Sequence, residues 1–391
     1  MSREKILIEG GRVLTPDGFR ESSILFDRSI IRCDGEAADA RENRDVRHVD
    51  ASGRLVLPGL IDLHVQGAGG HDFLDEDEGA AGHIAKHLAS HGTTSFLATT
   101  VVDTRREKQP HLSRIVALAS GSDAGANVLG IHLEGPFINP EKRGMIAEKY
   151  IEAPGLPRLE SIEEICSGHL AMMTVAPEMP GVLDIVVRLQ DRGTIPALGH
   201  TNATLEEAQR GIEAGITHVT HVTNAMRSFH HREPGALGAV LMGDGLSMQI
   251  IPDGVHIHPR VVEWLMKLKG TQSFALITDG IRALGLSPGT YETAGEEFVV
   301  EENGSAHHPD GRLIGTAMPQ SSLVARLVKI ADIPLADAVW MASLYPARIL
   351  GVADKKGSLE PGKDADIIIC EPDTLQPDRV FIGGREVSGI R

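Results

Sequence analysis

The chain has 391 residues, 41% of them hydrophobic, with 38 basic against 54 acidic side chains and a formal net charge of -16. That balance offers nucleic acid or an anionic membrane no general attraction, so any phosphate must be bound by a local pocket; the length suffices for one large core and a smaller one. The opening MSREKILIEGG carries charges where a signal peptide needs an apolar run, no stretch approaches the ~20 apolar residues of a membrane span, and Cys33, Cys166 and Cys370 lack the CxxC spacing. These features predict a cytoplasmic protein with reduced thiols and no nucleic-acid or membrane partner.

In chain order, KILIEGGRVLTPDG, SSILFDRSIIRCDG and DVRHVDASGRLVLPG alternate short β-rich runs with turn signals. GSLEPGKDADIIICE and DRVFIGGREVSG repeat that texture at the other end. Neither half closes a sandwich alone, so residues 1–57 and 351–391 are expected to pair into one small β-sandwich domain. Between them, residues 58–350 read as βα repeats with eight candidate strands: LIDLHVQ, TTSFLATT, VLGIHLEG, AMMTVAPE, TIPALGHT, THVTHVTN, LSMQIIPDG and FALITDG. The clearest helix runs from Thr204 to Ala214, with Thr204 and Glu207 as a capping box and Gly215 at the stop. The predicted class is α/β, a (β/α)8 TIM barrel with an appended β domain.

Five of these runs end in a metal-type or acid/base residue: His64, Glu134, His200, His221 and Asp279. They come from the first, third, fifth, sixth and eighth runs, which a closed ring brings together and an open doubly wound sheet does not. One carboxylate and two imidazoles, Glu134, His200 and His221, are a catalytic ligand set that leaves a position open for water on a zinc-like ion. A carboxylate beside that water, Asp279, can take its proton and later hand it to a leaving amine. His64 shares a strand face with Gln66, a neutral amide and a poor ligand, so lining the pocket and ligating are equally open to His64. His132 and His218 read as structural, while His83, His87, His91, His230, His231, His307 and His308 read as solvated. Arg232, in a Gly/Pro-bounded loop, has the fork geometry for phosphate, and His256 in DGVHIHP offers a second donor, although such loop residues are more often simply solvated.

The motifs PGLIDLHVQGAGG, HLEGPFINPEKRG, GHTNAT, THVTNAM, HREPGALGA, DGVHIHP, ITDG and LYPARILGV span nearly the whole chain. With them the sequence resembles the N-acetylglucosamine-6-phosphate deacetylases of the amidohydrolase superfamily. The resemblance implies metal ligation by Glu134, His200 and His221, acid/base work by Asp279, and substrate contacts from Asn224, Ala225, Arg232 and His256, with Gln66 lining the site. It further implies a phosphorylated amino-sugar substrate, a divalent ion (zinc or iron, one per chain, with His64 as an additional ligand if a second is held), and a homodimer in which Arg232 can serve the neighbouring site. The chain departs from the family in pairing His64 with Gln66, which leaves the number of metals open. It also places Ile146 where relatives often carry a histidine, and an apolar side chain cannot donate to the substrate carbonyl. Another N-acyl amine, N-acetylgalactosamine 6-phosphate, and a catalytically silent binding module are the alternative readings.

Overall fold

Eight parallel strands, β1 (Leu60–Val65), β2 (Thr93–Thr100), β3 (Asn127–Glu134), β4 (Leu170–Val175), β5 (Ile195–Leu198), β6 (His218–Val219), β7 (Ser247–Ile250) and β8 (Phe274–Leu276), hydrogen-bond to one another in chain order in the computed structural model of the protein. A bridge between Val65 and Gly280 joins the last strand to the first and closes the ring. The helices α1 (Ala80–Ser90), α2 (Pro110–Ser120), α3 (Leu156–Cys166), α4 (Val182–Asp191), α5 (Leu205–Ala214), α6 (Gly235–Met242), α7 (Pro259–Lys269) and α8 (Gln320–Ala331) follow the strands in turn. The structure describes residues 4–33, 43, 45–121, 125–293 and 296–388. Parts of the expected terminal β domain, at 1–3, 34–42, 44 and 389–391, lie outside the described residues.

The strands are apolar runs because a parallel barrel buries both of their faces. Every residue of β2 is buried: Phe96 and Ala98 pack with the helices, while Leu97 joins an inner cluster with Met172, Ala197 and Ala275. In β1 strict alternation fails. The pairing with β2 shifts between Asp62 and Val65, Leu63 packs in the inner cluster and Val65 in the outer one, and His64 turns toward the strand ends. Helix α5 starts as expected, with Thr204 Oγ1 accepting from the Glu207 amide and Glu207 accepting from the Thr204 amide, and Gly215 caps its far end at φ 127°.

Strands from both chain ends build one mixed sheet, with Ile367–Cys370 antiparallel to Leu55–Pro58. The long strand Lys5–Thr15 pairs first with Val46–Asp50 and then with Leu55–Val56, changing partner across a bulge where Gly10 adopts φ 77°. Ile8, Phe26, Val56, Ile367 and Phe381 form a core there separate from that of the barrel.

Between β8 and α8 the structure adds a four-stranded antiparallel sheet, Gly289–Thr293, Glu296–Val300, Ser305–His307 and Leu313–Thr316, which the repeat pattern does not announce. Phe298, Val300 and Ala306 pack it against Ile281 and Ala283, directly after the Asp279 loop. His87 and His91, expected in solvent, are instead part-buried where α1 passes beneath Gly69 and Gly285.

Candidate active site

The strand-end residues converge. Glu134 Oε1 lies 2.9 Å from His200 Nε2 and 3.0 Å from His221 Nε2, and the two ring nitrogens are 3.1 Å apart. His64 Nε2 stands 3.6 Å from Glu134 Oε1 and 3.3 Å from Asp279 Oδ1. The Gln66 amide donates to Glu134 Oε2 at 3.2 Å and to Asp279 Oδ1 at 3.4 Å, so the barrel mouth holds all six groups in one continuous cluster. Glu134, His200, His221 and His64 are buried, whereas the Asp279 side chain keeps 15% exposure and can reach a ligand.

The backbone bends sharply to aim these groups. His200, His221 and Asp279 follow the last residues of β5, β6 and β8 with φ of 48°, 26° and 49°, a left-handed region that non-glycine residues enter at a cost and that clusters at functional sites. Neighbouring hydrogen bonds hold the turns: the Asp279 amide donates to the His64 carbonyl at 3.0 Å, and the Thr316 amide donates to the Asp279 carbonyl at 3.1 Å.

Second partners orient the rings. His200 Nδ1 donates to the Lys142 carbonyl at 2.8 Å, which turns Nε2 toward the Glu134 oxygen. Gln249 Oε1 accepts from His64 Nδ1 at 3.0 Å and from the His221 amide at 3.3 Å. His64 Nε2 and His221 Nδ1 are buried without a hydrogen-bond partner. Three ligand-type atoms, Glu134 Oε1, His200 Nε2 and His221 Nε2, crowded to 2.9–3.1 Å of one another are the donor set that would surround one divalent cation; donors around one tetrahedral ion stand about 3.4 Å apart.

The electrostatics agree. Burial favours the neutral form of His221 and lowers its pKa, the state in which imidazole ligates. Burial opposes ionisation of Glu134, but His64 and His200 outweigh it and hold the carboxyl well below its usual range. Burial also opposes a charge on His64, yet Glu134 and Asp279 push its pKa up to about 9, a measure of how strongly the pocket draws positive charge.

The other strand histidines turn their nitrogens elsewhere, His132 lying on the Glu134 face one step deeper and packing edge-on against His64 with centroids 4.8 Å apart. His132 is fully buried, with Nε2 2.8 Å from Thr174 Oγ1 and Nδ1 3.2 Å from the Leu63 carbonyl, and burial drives its pKa well down. Burial likewise lowers His218, bonded to Ser247, to about 3. His256 is held by Asp253, through Nδ1 at 2.7 Å and its amide at 2.8 Å; burial opposes its charge, while Asp253 and the nearby Asp279 raise its pKa. Asn224 donates its amide to the His221 carbonyl, and Ala225, at φ 50°, accepts from the Thr201 amide, so their loop ties the β5 and β6 ends together. Arg232 is not drawn into the cluster: it is exposed and donates to His231 at 3.0 Å. Ile146 is buried, its carbonyl accepting from Arg143 at 2.8 Å. The strand-end pattern does not single out Gln249, which lies inside β7, nor Asp62, buried beneath His64 and pushed to about 6 by burial against the opposing Thr278 hydroxyl bond. The only signal for either was a polar residue within an apolar run.

The model of the Amidohydrolase family matches residues 55–387. The chain is 34% identical over 326 residues to the N-acetylglucosamine-6-phosphate deacetylase of Bacillus subtilis, covering 82% of this chain and 81% of that protein. It is 31% identical over 382 residues to the N-acetylgalactosamine-6-phosphate deacetylase of Escherichia coli O157:H7, covering 98% and 99%. Among solved structures, a mutant N-acetyl-D-glucosamine-6-phosphate deacetylase from Mycobacterium smegmatis in complex with N-acetyl-D-glucosamine-6-phosphate superposes with a TM-score of 0.87 at 26% identity, over 100% of both chains. With this full-length similarity joined to a barrel whose strand ends gather a buried Glu-His-His group, the chain belongs to the amidohydrolase family.

Proposed function

We propose that the protein hydrolyses N-acetylglucosamine 6-phosphate to glucosamine 6-phosphate and acetate. The observation that carries this reading is the convergence of Glu134, His200 and His221 beside Asp279, in a chain whose full-length relatives bear that activity in their names. Glu134, His200 and His221 would hold one divalent ion, zinc or iron, with His64 as a further ligand if a second were taken; when bound, such an ion would supply Lewis-acid chemistry that activates water and polarises a carbonyl.

The chain's own groups do the rest. Asp279 Oδ1 accepts a proton from the attacking water as oxygen bonds to the acetyl carbon. The same carboxyl then returns that proton to the sugar nitrogen as the C–N bond breaks, so the amine leaves neutral together with acetic acid, whose remaining proton passes to the amine in water to give acetate and the ammonium form. His200 is fixed by the Lys142 carbonyl and His64 by Gln249, so neither ring has to reorganise during the reaction. Asn224, Ala225, His256 and Gln66 line the sugar, and Arg232 binds the phosphate, in a homodimer reaching across to the neighbouring site. Residues 58–350 supply this chemistry, and residues 1–57 with 351–391 form the supporting domain.

The similarity to an N-acetylgalactosamine-6-phosphate deacetylase makes the galacto epimer the second substrate to test. Acetate release from both 6-phosphates and their unphosphorylated sugars, with metal content measured on the same sample, tests the reading. We expect turnover of the gluco 6-phosphate and at least one divalent ion per chain. Equal rates with and without phosphate would reject the substrate class, and full activity in metal-free protein would reject the ligand set.

A further inference from the structure

Away from the catalytic cluster, the excursion between β1 and α1 gathers a second set of metal-type donors. His71, Asp77 and His83 present ligand atoms that all lie within 4.8 Å of one another. The His71 and His83 rings stack with centroids 4.6 Å apart and planes 20° from parallel. His71 Nδ1 stands 3.8 Å from Asp75 Oδ2 and 3.9 Å from Asp77 Oδ2, beyond hydrogen-bonding range of either. Asp77 spends one oxygen on the Gly79 amide at 3.0 Å, which fixes its carboxylate at the start of α1. Gly79 is also what leaves room for the His83 ring, since a Cβ there would stand 3.3 Å from His83 Cε1.

The scaffold beneath these donors is well tied. Asp72 accepts from the Leu74 amide at 2.8 Å, and Asp75 accepts from the Asp72 amide at 3.0 Å. Asp75 pairs with Arg282 and receives Arg114 on its carbonyl. The segment HDFLDEDE brings five carboxylates into eight residues, a local field that concentrates cations.

We propose that His71, Asp77 and His83 form a peripheral divalent-metal site, distinct from the catalytic one, that takes a zinc-type cation. Two imidazoles and one carboxylate are a borderline-soft donor set that suits zinc and disfavours calcium or magnesium, with water completing the coordination. The roughly 3.4 Å donor spacing of a tetrahedral ion is closer than the present 4.8 Å limit, and the exposure of Asp77 and His83, with His71 part-exposed, leaves room for the side chains to close on an ion. That exposure makes the site weaker than the buried catalytic one. An ion there would staple the β1 loop to the first turns of α1, and Asp75 carries the tie on to Arg282, three residues past Asp279. The site thus steadies the rim of the active-site mouth without touching substrate.

The test is zinc titration of the full-length, chelator-stripped protein against a chromophoric competitor, alongside His83→Ala, Asp77→Asn and a catalytic-site control, His200→Ala. Wild type should bind one more equivalent than His83→Ala or Asp77→Asn, the missing one being the weaker; both variants should match the metal-free thermal midpoint of wild type, gain less from added zinc, and keep their deacetylase rate at saturating metal. His200→Ala should show the converse, losing a tight equivalent and keeping the weak one. Unchanged stoichiometry and affinity in both His83→Ala and Asp77→Asn would overturn the proposal, as would loss of the weak equivalent in His200→Ala alone.

Discussion

At the scale of single residues, the site is built from left-handed strand ends, and Asp279 combines such a backbone turn, at φ 49°, with side-chain contacts to Gln66 and His64. Asp279→Asn preserves shape and removes proton transfer; we expect metal retained and kcat reduced by about 10²- to 10⁴-fold, the usual span for general acid/base catalysis. Turnover close to the parent in metal-replete variant would assign the proton to another group. Gln249 lends itself to a separate experiment. Its carbonyl serves both His64 and the His221 amide, so Gln249→Leu should weaken metal binding by about 10- to 100-fold in chelator competition, the range typical of lost outer-shell partners. An unaltered metal Kd would reduce Gln249 to packing. The sequence made Glu134, His200, His221 and Asp279 legible because each terminates an apolar run, a position only a barrel rim explains. It left Gln249 and Asp62 unread because their roles arise from contacts across the barrel, where sequence spacing carries no information.

Among the elements, the eight strands and the capped α5 were legible from periodicity and turn chemistry, while the sheet of Gly289–Thr316 was not. Its first two strands, GTYET and EEFVV, are mostly exposed, so they lack the continuous apolar signature by which the barrel strands announce themselves. The turn residues NGS and PDG between its strands were the available signal. This sheet buttresses the site directly: Gly315 adopts φ 110°, and a Cβ there would come 2.3 Å from the Asp279 carbonyl oxygen, a contact no side-chain motion can relieve. Gly315→Ala should therefore displace Asp279. We expect kcat to fall about tenfold or more with KM little changed, given the sensitivity of catalysis to ångström-scale misplacement. An equal fall in thermal midpoint and metal content without a specific kcat effect would mark the glycine as a folding requirement only.

The molecule as a whole carries desolvated histidines outside the Glu134, His200 and His221 cluster, with consequences for acid stability. His91 is lowered to about 4 by burial and by His87, and His111 to about 4 by burial, partly opposed by its bond to the Val101 carbonyl. In the unfolded chain both titrate near 6.5. Between about pH 6.5 and 4 the unfolded state therefore binds protons that the native state refuses, so stability falls as pH drops through that window and is indifferent to these residues above about 7. Each contributes at most about 3 kcal/mol to the fall. Urea midpoints at pH 7.5 and 5 should converge in a His91→Gln, His111→Asn double variant relative to wild type; an identical acid loss would place its origin elsewhere.

The mixed sheet from the two chain ends has a further consequence, for the order in which the molecule is made. Leu55–Pro58 leaves the ribosome early, but its partner Ile367–Cys370 is encoded about 310 residues later, a wait of roughly 15–60 s at ordinary synthesis rates. Throughout that interval a fully apolar strand edge has no neighbour, while the ring of β1–β8 closes downstream of it. During that wait the open edge of Leu55–Pro58 is an unpaired apolar template of the kind that invites wrong pairing until Ile367–Cys370 covers it.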